Sequence, residues 1–465
     1  MNLSAGGFPW RPPAGTIPDM DELFDLPPAE PTTKQAEGRG RPRLQRPQRD
    51  QITLRPSDLE SLLPADHRAR LVWAFVEGLD LSAFHEMIRA VEGHPGRPPI
   101  DPAILVALWL YATLEGVGSA RALERLCDEH DAYRWIAGGV SVNHHTLADF
   151  RVDHADALDE LLTRSVAALI VEGHVTLARV AGDGMRVRAS AGAASFRRRD
   201  TLTDALAEAE AQIRALRAEL DDDRGATSRR VAAARARAAA ERAERVRAAL
   251  DALPELEAAK RRNVPAGTPP REARASLTDP AARVMKMADG GYRPAYNAEL
   301  ATDTASQVIV GIGLTNAGSD GGQLAPMLGQ LERRYDRAPG AVLVDGGFVN
   351  LAEIEALAES ACGTTLYAPP PTPRDPTRDR HVPLPGDAPA VAAWRIRMGT
   401  DEAKRIYRER AATAECVNAI ARNRGLRHIG VRGLEKARAI LLWFALAHNL
   451  MRAVVLRAAA SATAT

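Results

Sequence analysis

The sequence predicts a mixed α/β fold, and three observations support this. Residues 342–348, VLVDGGF, form a short apolar run that ends in Asp345 and two glycines. Residues 177–191, LARVAGDGMRVRASA, form a second apolar run with Asp183-Gly184 inside it, and short runs of this kind are typical of buried strands. Residues 58–172 instead carry apolar side chains at spacings of three and four, which predicts helices.

Composition argues against several classes of protein. The 465 residues include 61 Lys and Arg against 60 Asp and Glu, so any binding to nucleic acid must depend on local charge clusters. Cys127, Cys362 and Cys416 are far apart, which argues against a disulfide framework and against a four-ligand zinc site. There is no signal-peptide pattern and no apolar run of the roughly 20 residues that a membrane span needs. We therefore expect a soluble, cytoplasmic protein without a membrane partner.

Residues 1–57 are rich in Pro, Gly and charge and lack periodicity, which predicts a disordered leader. Within it, Arg39-Gly40-Arg41-Pro42 resembles the AT-hook, a peptide that lies in the minor groove of DNA. Gly permits close approach of the backbone, Pro keeps it extended, and Arg39 and Arg41 would reach into a narrow, negative groove. The alternative is an ordinary basic linker.

Residues 58–175 predict a helical domain that binds DNA ends. Asp101-Pro102 predicts the start of one helix, and Ser141 or Asn143 predicts the cap of another. Short helices with tight turns suit a helix-turn-helix-like DNA module, although an ordinary helical bundle fits the same pattern. The neighbouring pair His144-His145 is interpreted as turn or cap residues rather than as metal ligands.

Residues 201–262 predict an inserted antiparallel helical hairpin. Its first arm repeats apolar residues at heptad spacing: Leu202, Leu206, Ala209, Ile213, Leu216 and Leu220. The stretch DDDRGATS interrupts this pattern, and a second helix rich in Ala, Arg and Glu follows. The flanking segments 176–200 and 276–455 are then one α/β domain, which carries a Pro-rich loop at 369–392.

Without the insertion, the order of elements is the Asp183 strand, a β-hairpin, a helix, the Asp345 strand and further helices. This is the order of an RNase H-like fold, in which the first and fourth strands are neighbours. Asp183 and Asp345 would then face one site, although Asp-Gly is also a common turn pair. Glu415, on a later helix, would supply a third acid. Arg408 and Arg422 lie seven residues to either side of it and would share its helix face.

The chain resembles the DDE transposases of bacterial insertion sequences over roughly residues 60–455. The resemblance is specific because several motifs agree in order: TDPAARVMKMADGGYRPAYNAELATD, VLVDGGF, MGTDEAKRIYRERAATAE and RGLEKARAILLWFALAHNL. It implies an RNase H-like catalytic domain in which Asp183, Asp345 and Glu415 are the catalytic acids and metal ligands.

In this group a Y-x-x-R-x-x-x-E-x(6)-K signature surrounds the last acid. Tyr407, Glu415 and Arg422 match it here, with Arg422 at the position where Lys is usual. The register departs by one residue: the signature's Arg would fall on Ala411, while Arg410 lies one residue early. Either Arg408 or Arg410 could therefore serve as that Arg, with Tyr407, Arg408, Arg410 and Arg422 as the phosphate-binding set.

The resemblance also implies the chemistry. Two Mg²⁺ ions, or Mn²⁺, about 4 Å apart would activate a water or a 3′-hydroxyl and stabilise the leaving oxygen of a phosphodiester. The first step would hydrolyse a phosphodiester at a transposon end. In the second step the freed 3′-hydroxyl would attack a phosphodiester of the target DNA. The implied partners are the terminal inverted repeats, the target duplex and a second copy of the chain. The protein would be associated with the nucleoid when it is bound to DNA.

Three alternatives remain open on the sequence. A tyrosine recombinase would use His428 and Arg432, but no tyrosine follows Tyr407 to act as the nucleophile. A decayed transposase would bind DNA without cutting it, although all three acids are present. An RNase H-like nuclease without strand transfer would carry the same acids.

Overall fold

The computed structural model describes residues 58–88, 90, 98–222, 226–262, 264–265, 268–269, 272–360 and 363–464. These residues lie in the compact unit Ser57–Thr465. The AT-hook-like segment with Arg39 and Arg41 lies outside the described residues, as does the rest of the predicted leader up to residue 57.

The fold is mixed α/β, as predicted, and is built on a six-stranded sheet. Strand β1 lies at its centre, with β5 antiparallel on one side and β7 parallel on the other. Strand β8 extends the β7 side in parallel, while β6 and β4 both pair with the outer edge of β5. The strands of this sheet are β1 (Arg179–Arg188), β4 (Arg283–Lys286), β5 (Tyr292–Asp303), β6 (Ile309–Thr315), β7 (Ala341–Leu343) and β8 (Thr365–Tyr367).

Helices cover both faces of the sheet and extend beyond it on the N-terminal side. The N-terminal helices are α1 (Arg68–Glu77), α2 (Ser82–His85), α3 (Pro102–Leu114), α4 (Ala120–Glu129), α5 (Asp131–Ala137), α6 (His144–Asp153) and α7 (Ala155–Val171). The later helices are α10 (Leu324–Tyr335), α11 (Leu351–Glu359), α12 (Pro389–Gly399), α13 (Asp401–Arg410), α14 (Cys416–Asn423) and α15 (Leu434–Ala464). One buried apolar cluster joins α3, α7 and α15 to β1, β5 and β6.

The predicted caps are present in the N-terminal helices. The Asp101 side chain accepts a hydrogen bond from the backbone N–H of Ala103 at the start of α3. Asn143, rather than Ser141, caps α6 by accepting from the backbone N–H of Thr146. Such caps satisfy donors that have no partner within the helix, so these two starts follow from local sequence.

Two long helices, α8 (Arg199–Asp222) and α9 (Ala226–Arg262), occupy the stretch predicted as an inserted hairpin. Ion pairs Arg199–Glu257 and Glu208–Arg242 show that the two helices run antiparallel. A two-stranded sheet of β2 (Phe196–Arg197) and β3 (Ala275–Ser276) closes the base of this hairpin. The two ends of the segment are therefore adjacent in space.

Helix α15 corrects one expectation from the sequence. It is long and apolar enough to cross a membrane by length and composition, whereas we expected no such run. Most of that apolar stretch is buried within the protein, where Trp443 and Phe444 have almost no exposed surface. In this structure α15 is thus a core helix.

The predicted Pro-rich loop at residues 369–392 is shorter than expected, because α12 begins at Pro389.

Candidate active site

Asp183 and Asp345 lie on or just beyond two neighbouring strands. Strands β1 and β7 pair in parallel with Ala181 opposite Leu343, and each aspartate lies two residues further along. The predicted adjacency of these strands is confirmed. The side chain of Asp345 also accepts a hydrogen bond from the backbone N–H of Gly347 at 2.8 Å, so the turn interpretation of Asp-Gly holds as well. Asp345 therefore lies just beyond β7, and Asp183 lies beside it on β1.

The contacts of Gly182 and Gly184 indicate which face of β1 carries the Asp183 carboxylate. A Cβ at Gly182 would lie 2.9 Å from the Met327 side chain of α10, and one at Gly184 would lie 2.5 Å from Asp320 Oδ1. Side chains alternate between the faces of a strand, so Asp183 points to the opposite face, towards α13 and α14. A larger residue at position 182 would require the Met327 side chain to shift, and one at position 184 would require the Asp320 side chain to shift.

The side chain of Arg410 lies among three carboxylates. Its Nη2 is 2.8 Å from Asp183 Oδ1 and 4.0 Å from Asp345 Oδ2. Its Nη1 is 3.8 Å from Glu415 Oε1. The Arg410 side chain is 11% exposed, while the Asp345 and Glu415 side chains are 41% and 63% exposed. The three acids predicted from the sequence therefore lie around one largely buried guanidinium.

A π-helical turn, Ala411–Glu415, separates Arg410 from Glu415. A π turn holds one more residue than an α turn and is frequent at functional sites. The chain has one residue more between Arg410 and Glu415 than the signature has between its Arg and Glu. Because the π turn absorbs this extra residue, both side chains stay on the face that meets Asp183. The structure thus brings Arg410, and not Arg408, against the carboxylates.

Asn418 belongs to the same constellation and was not predicted. Its Nδ2 donates to Asp183 Oδ2 at 2.7 Å, so the two oxygens of Asp183 are held by Arg410 and Asn418 separately. Asn418 lies three residues after Glu415, a spacing that shares a helix face, and this spacing was the signal available in the sequence. Its Oδ1 is buried without a hydrogen-bond partner.

Glu409, the nearest rival to Glu415, points elsewhere. Its Oε2 accepts from Arg179 Nε at 2.8 Å and from Thr304 Oγ1 at 3.2 Å. Arg179 begins β1, four residues before Asp183, and Thr304 follows the end of β5. Glu409 is therefore engaged at the start of β1 and not with the acid cluster.

The other predicted phosphate-binding residues surround the site less closely. Tyr407 is half-buried on α13, and burial raises the pKa of its phenol, with Arg410 opposing and the Asp345 and Asp183 charges adding to the shift. Arg408 and Arg422 are exposed, and neither forms an ion pair with the three acids within the part of the chain described. These exposed cations lie on the helical segment that carries Glu415.

The electrostatics favour a bound cation. Burial raises the pKa of Asp183, Arg410 opposes this shift, the Asp345 charge adds to it, Asn418 opposes it and the Asp320 charge adds to it. Packing carboxylates together disfavours their charged forms unless a positive group lies between them. In this structure Arg410 is that group.

The donor chemistry fits a hard divalent cation. Carboxylate oxygens are the ligands that Mg²⁺ prefers, and the unpaired Asn418 Oδ1 is a further hard oxygen. Among the described residues, however, no three acidic, His or Cys side chains surround one point closely enough to hold an ion. The carboxylates are instead arranged around the guanidinium. Asp183, Asp345 and Glu415 would hold the metal once that space is clear.

A second polar cluster, also not predicted, lies on the opposite face of β1 and β5. The Nδ2 of Asn297 donates to Glu299 Oε1 at 3.0 Å and to Asp320 Oδ1 at 2.6 Å. Arg186 pairs with Asp320 at 3.1 Å. Burial raises the pKa of Glu299 to about 8, with the Asp320 charge adding to the shift and Arg186 opposing it. Glu299 is therefore largely protonated at neutral pH.

Comparison with protein families gives two matches. Residues 57–153 match a transposase domain (DUF772), and residues 377–454 match a transposase DDE domain. Both matches support an insertion-sequence DDE transposase. No curated protein and no solved structure matches the chain. The second match contains Arg410, Glu415 and Asn418, whereas Asp183 and Asp345 lie outside both matches.

Proposed function

We propose that this DDE transposase cuts DNA at the ends of its element and joins the freed 3′-hydroxyl to a target duplex. The observation that carries the proposal is the convergence of Asp183, Asp345 and Glu415, from three separate elements, on one point at the carboxyl end of β7. Bringing carboxylates together from distant parts of a chain costs free energy, and such clusters are common at functional sites.

The strand order supports an RNase H-like catalytic core. Along the chain, the first long strand is β1, followed by the hairpin of β5 and β6, then β7 and β8. In the sheet these strands lie in the order β6, β5, β1, β7, β8. The central strand β1 is antiparallel to β5 and parallel to β7. The helical hairpin α8–α9 would then be an insertion after the first strand of this core.

The residues of the site divide the work. Mg²⁺ or Mn²⁺ bound by the three carboxylates would supply an activated water or 3′-hydroxyl and would stabilise the leaving oxygen. Asn418 orients Asp183 by holding its Oδ2. Arg408 and Arg422 are exposed on the same helical segment and would bind DNA phosphates, for which guanidinium is well suited. Tyr407 would position the strand beside them.

The remaining assignments follow from this activity. The N-terminal helices between residues 58 and 175 would bind the terminal inverted repeats, and the segment around Arg39 and Arg41 would add contacts to the minor groove. A second copy of the chain would complete the active complex, because two ends must be cut and joined together. The protein would act in the cytoplasm, on the nucleoid.

The test is a comparison of Asp345→Asn with the wild type. Asn keeps the size of the side chain and can still accept from Gly347, but its amide is a poorer metal ligand. We expect end binding in a gel shift to persist and Mg²⁺-dependent nicking of the element's ends to disappear. Asp401→Asn, at a fully exposed position in the first turn of α13, is the matched control and should nick normally.

Retained nicking by Asp345→Asn would overturn the proposed site. A separate assay with pre-cleaved ends and a target plasmid distinguishes strand transfer from simple hydrolysis. Nicking without joining would identify a nuclease with the same core and not a transposase reaction.

A further inference from the structure

Arg410 lies where metal ions would have to bind. Its guanidinium is within 2.8 to 4.0 Å of an oxygen from each of the three carboxylates. Asp183 and Asp345 would hold a metal ion with the same oxygens that now face Nη2, so the ion would need space that the guanidinium occupies. The two cations exclude each other by size and by charge.

The contacts of Arg410 are incomplete in this position. Its Nε is buried and has no hydrogen-bond partner. A buried donor without a partner carries a free-energy cost, which a new acceptor for the guanidinium could relieve. Two oxygens of a DNA phosphate can accept hydrogen bonds from two N–H groups of a planar guanidinium.

On these grounds, and resting on the proposed function, we propose that Arg410 is an internal cation that holds the acid cluster together in the free protein and is displaced when metal and DNA bind. Before DNA arrives, its positive charge offsets the repulsion among Asp183, Asp345 and Glu415. When a phosphate enters, Arg410 moves to it and leaves the carboxylates to the metal. Metal binding is thereby coupled to the presence of DNA, so the free protein would stay without metal at this site.

The coupling is reciprocal, as linkage requires. If DNA raises the affinity for metal by removing Arg410 from the carboxylates, then metal raises the affinity for DNA by the same factor. Removing the guanidinium should abolish most of this coupling, because the metal site would then be open without DNA.

The experiment measures Mn²⁺ binding by calorimetry or by the electron paramagnetic resonance of free Mn²⁺, with and without a DNA duplex. We expect Arg410→Gln to bind Mn²⁺ about tenfold or more tightly than the wild type in the absence of DNA, and to gain little when DNA is added. Arg405→Gln, at an exposed position of α13 that has no role in the proposed site, should behave as the wild type does. Arg410→Lys retains the charge and should keep weak Mn²⁺ binding, which controls for any loss of folding in the Gln variant.

Equal or weaker Mn²⁺ binding by Arg410→Gln would overturn the inference. The proposed function would still stand in that case if Asp345→Asn abolished nicking. If no variant bound Mn²⁺ even with DNA present, both the inference and the proposed metal chemistry would fall.

Discussion

Arg410 and Glu415 face each other across a π turn, with Arg410 Nη1 3.8 Å from Glu415 Oε1. They are separated by one residue more than the Arg and Glu of the transposase signature. Five residues of a π turn complete about one revolution and a little more, as four residues of an α-helix do. The extra residue therefore changes the local hydrogen bonding but not the face on which Glu415 lies.

Deleting Ala412 tests whether the π turn absorbs an insertion. The deletion should convert the turn to α-helix and leave Arg410 and Glu415 on one face, so melting temperature and nicking should stay close to the wild type. Deleting Ala419, also an exposed alanine but in regular α14, rotates every later residue by about 100° and should lower the melting temperature strongly. Equal damage from both deletions would show that the π turn has another cause.

The assignment of the third acid is tested by a pair of glutamine substitutions. Glu415→Gln should abolish Mg²⁺-dependent nicking, because it removes a charge from the cluster around Arg410. Glu409→Gln should keep nicking and lose at most about 1 kcal/mol of stability, since its pair with Arg179 is partly exposed. Loss of nicking in Glu409→Gln with retention in Glu415→Gln would reverse the assignment.

The helical hairpin predicted at residues 201–262 should be dispensable for folding. Its own apolar cluster includes Leu202, Val246 and Leu253, and an open cleft of about 960 Å³ separates α9 from α6. We expect replacement of residues 199–272 by a short Gly/Ser linker to leave a cooperative thermal transition, because β2 and β3 hold the two chain ends together. A broad, non-cooperative melt would place the hairpin within the folding core.

Glu299 should make the stability of the protein depend on pH. Its folded pKa of about 8 is above the ordinary value of 4.5, so the stability it contributes is complete below pH 4.5 and is lost as pH rises through 8. Glu299→Gln should therefore gain stability relative to the wild type between pH 5.5 and 8, by up to about 1.4 kcal/mol per pH unit in urea unfolding. The control is Glu172→Gln, because Arg457 lowers the pKa of Glu172 and its difference from the wild type should stay constant over this range.

The basic segment near the N-terminus should add affinity that depends on salt. Changing Arg39 and Arg41 to Ala should weaken DNA binding and reduce the slope of log affinity against log salt by about one for each lost phosphate contact. Binding titrations at several salt concentrations measure both quantities. An unchanged slope and affinity would identify the segment as an ordinary linker.

The sequence by itself determined the features that depend on neighbouring residues. The alternation around Asp183, the apolar run before Asp345, the cap at Asn143 and the heptad spacing of the hairpin are local patterns, and each reappears in the structure. Adjacency of the two aspartate strands was also predictable, because the order of elements permits few sheet topologies.

Only the tertiary structure decided which side chains meet at the site. From the sequence, Arg408, Glu415 and Arg422 were predicted to share one face of a regular helix. The π turn changes this register, and packing against β1 selects Arg410 and Asn418 as the partners of Asp183. No local sequence pattern predicts the π turn at Ala411–Glu415. It is stabilised by contacts that form only when the helix lies against the sheet.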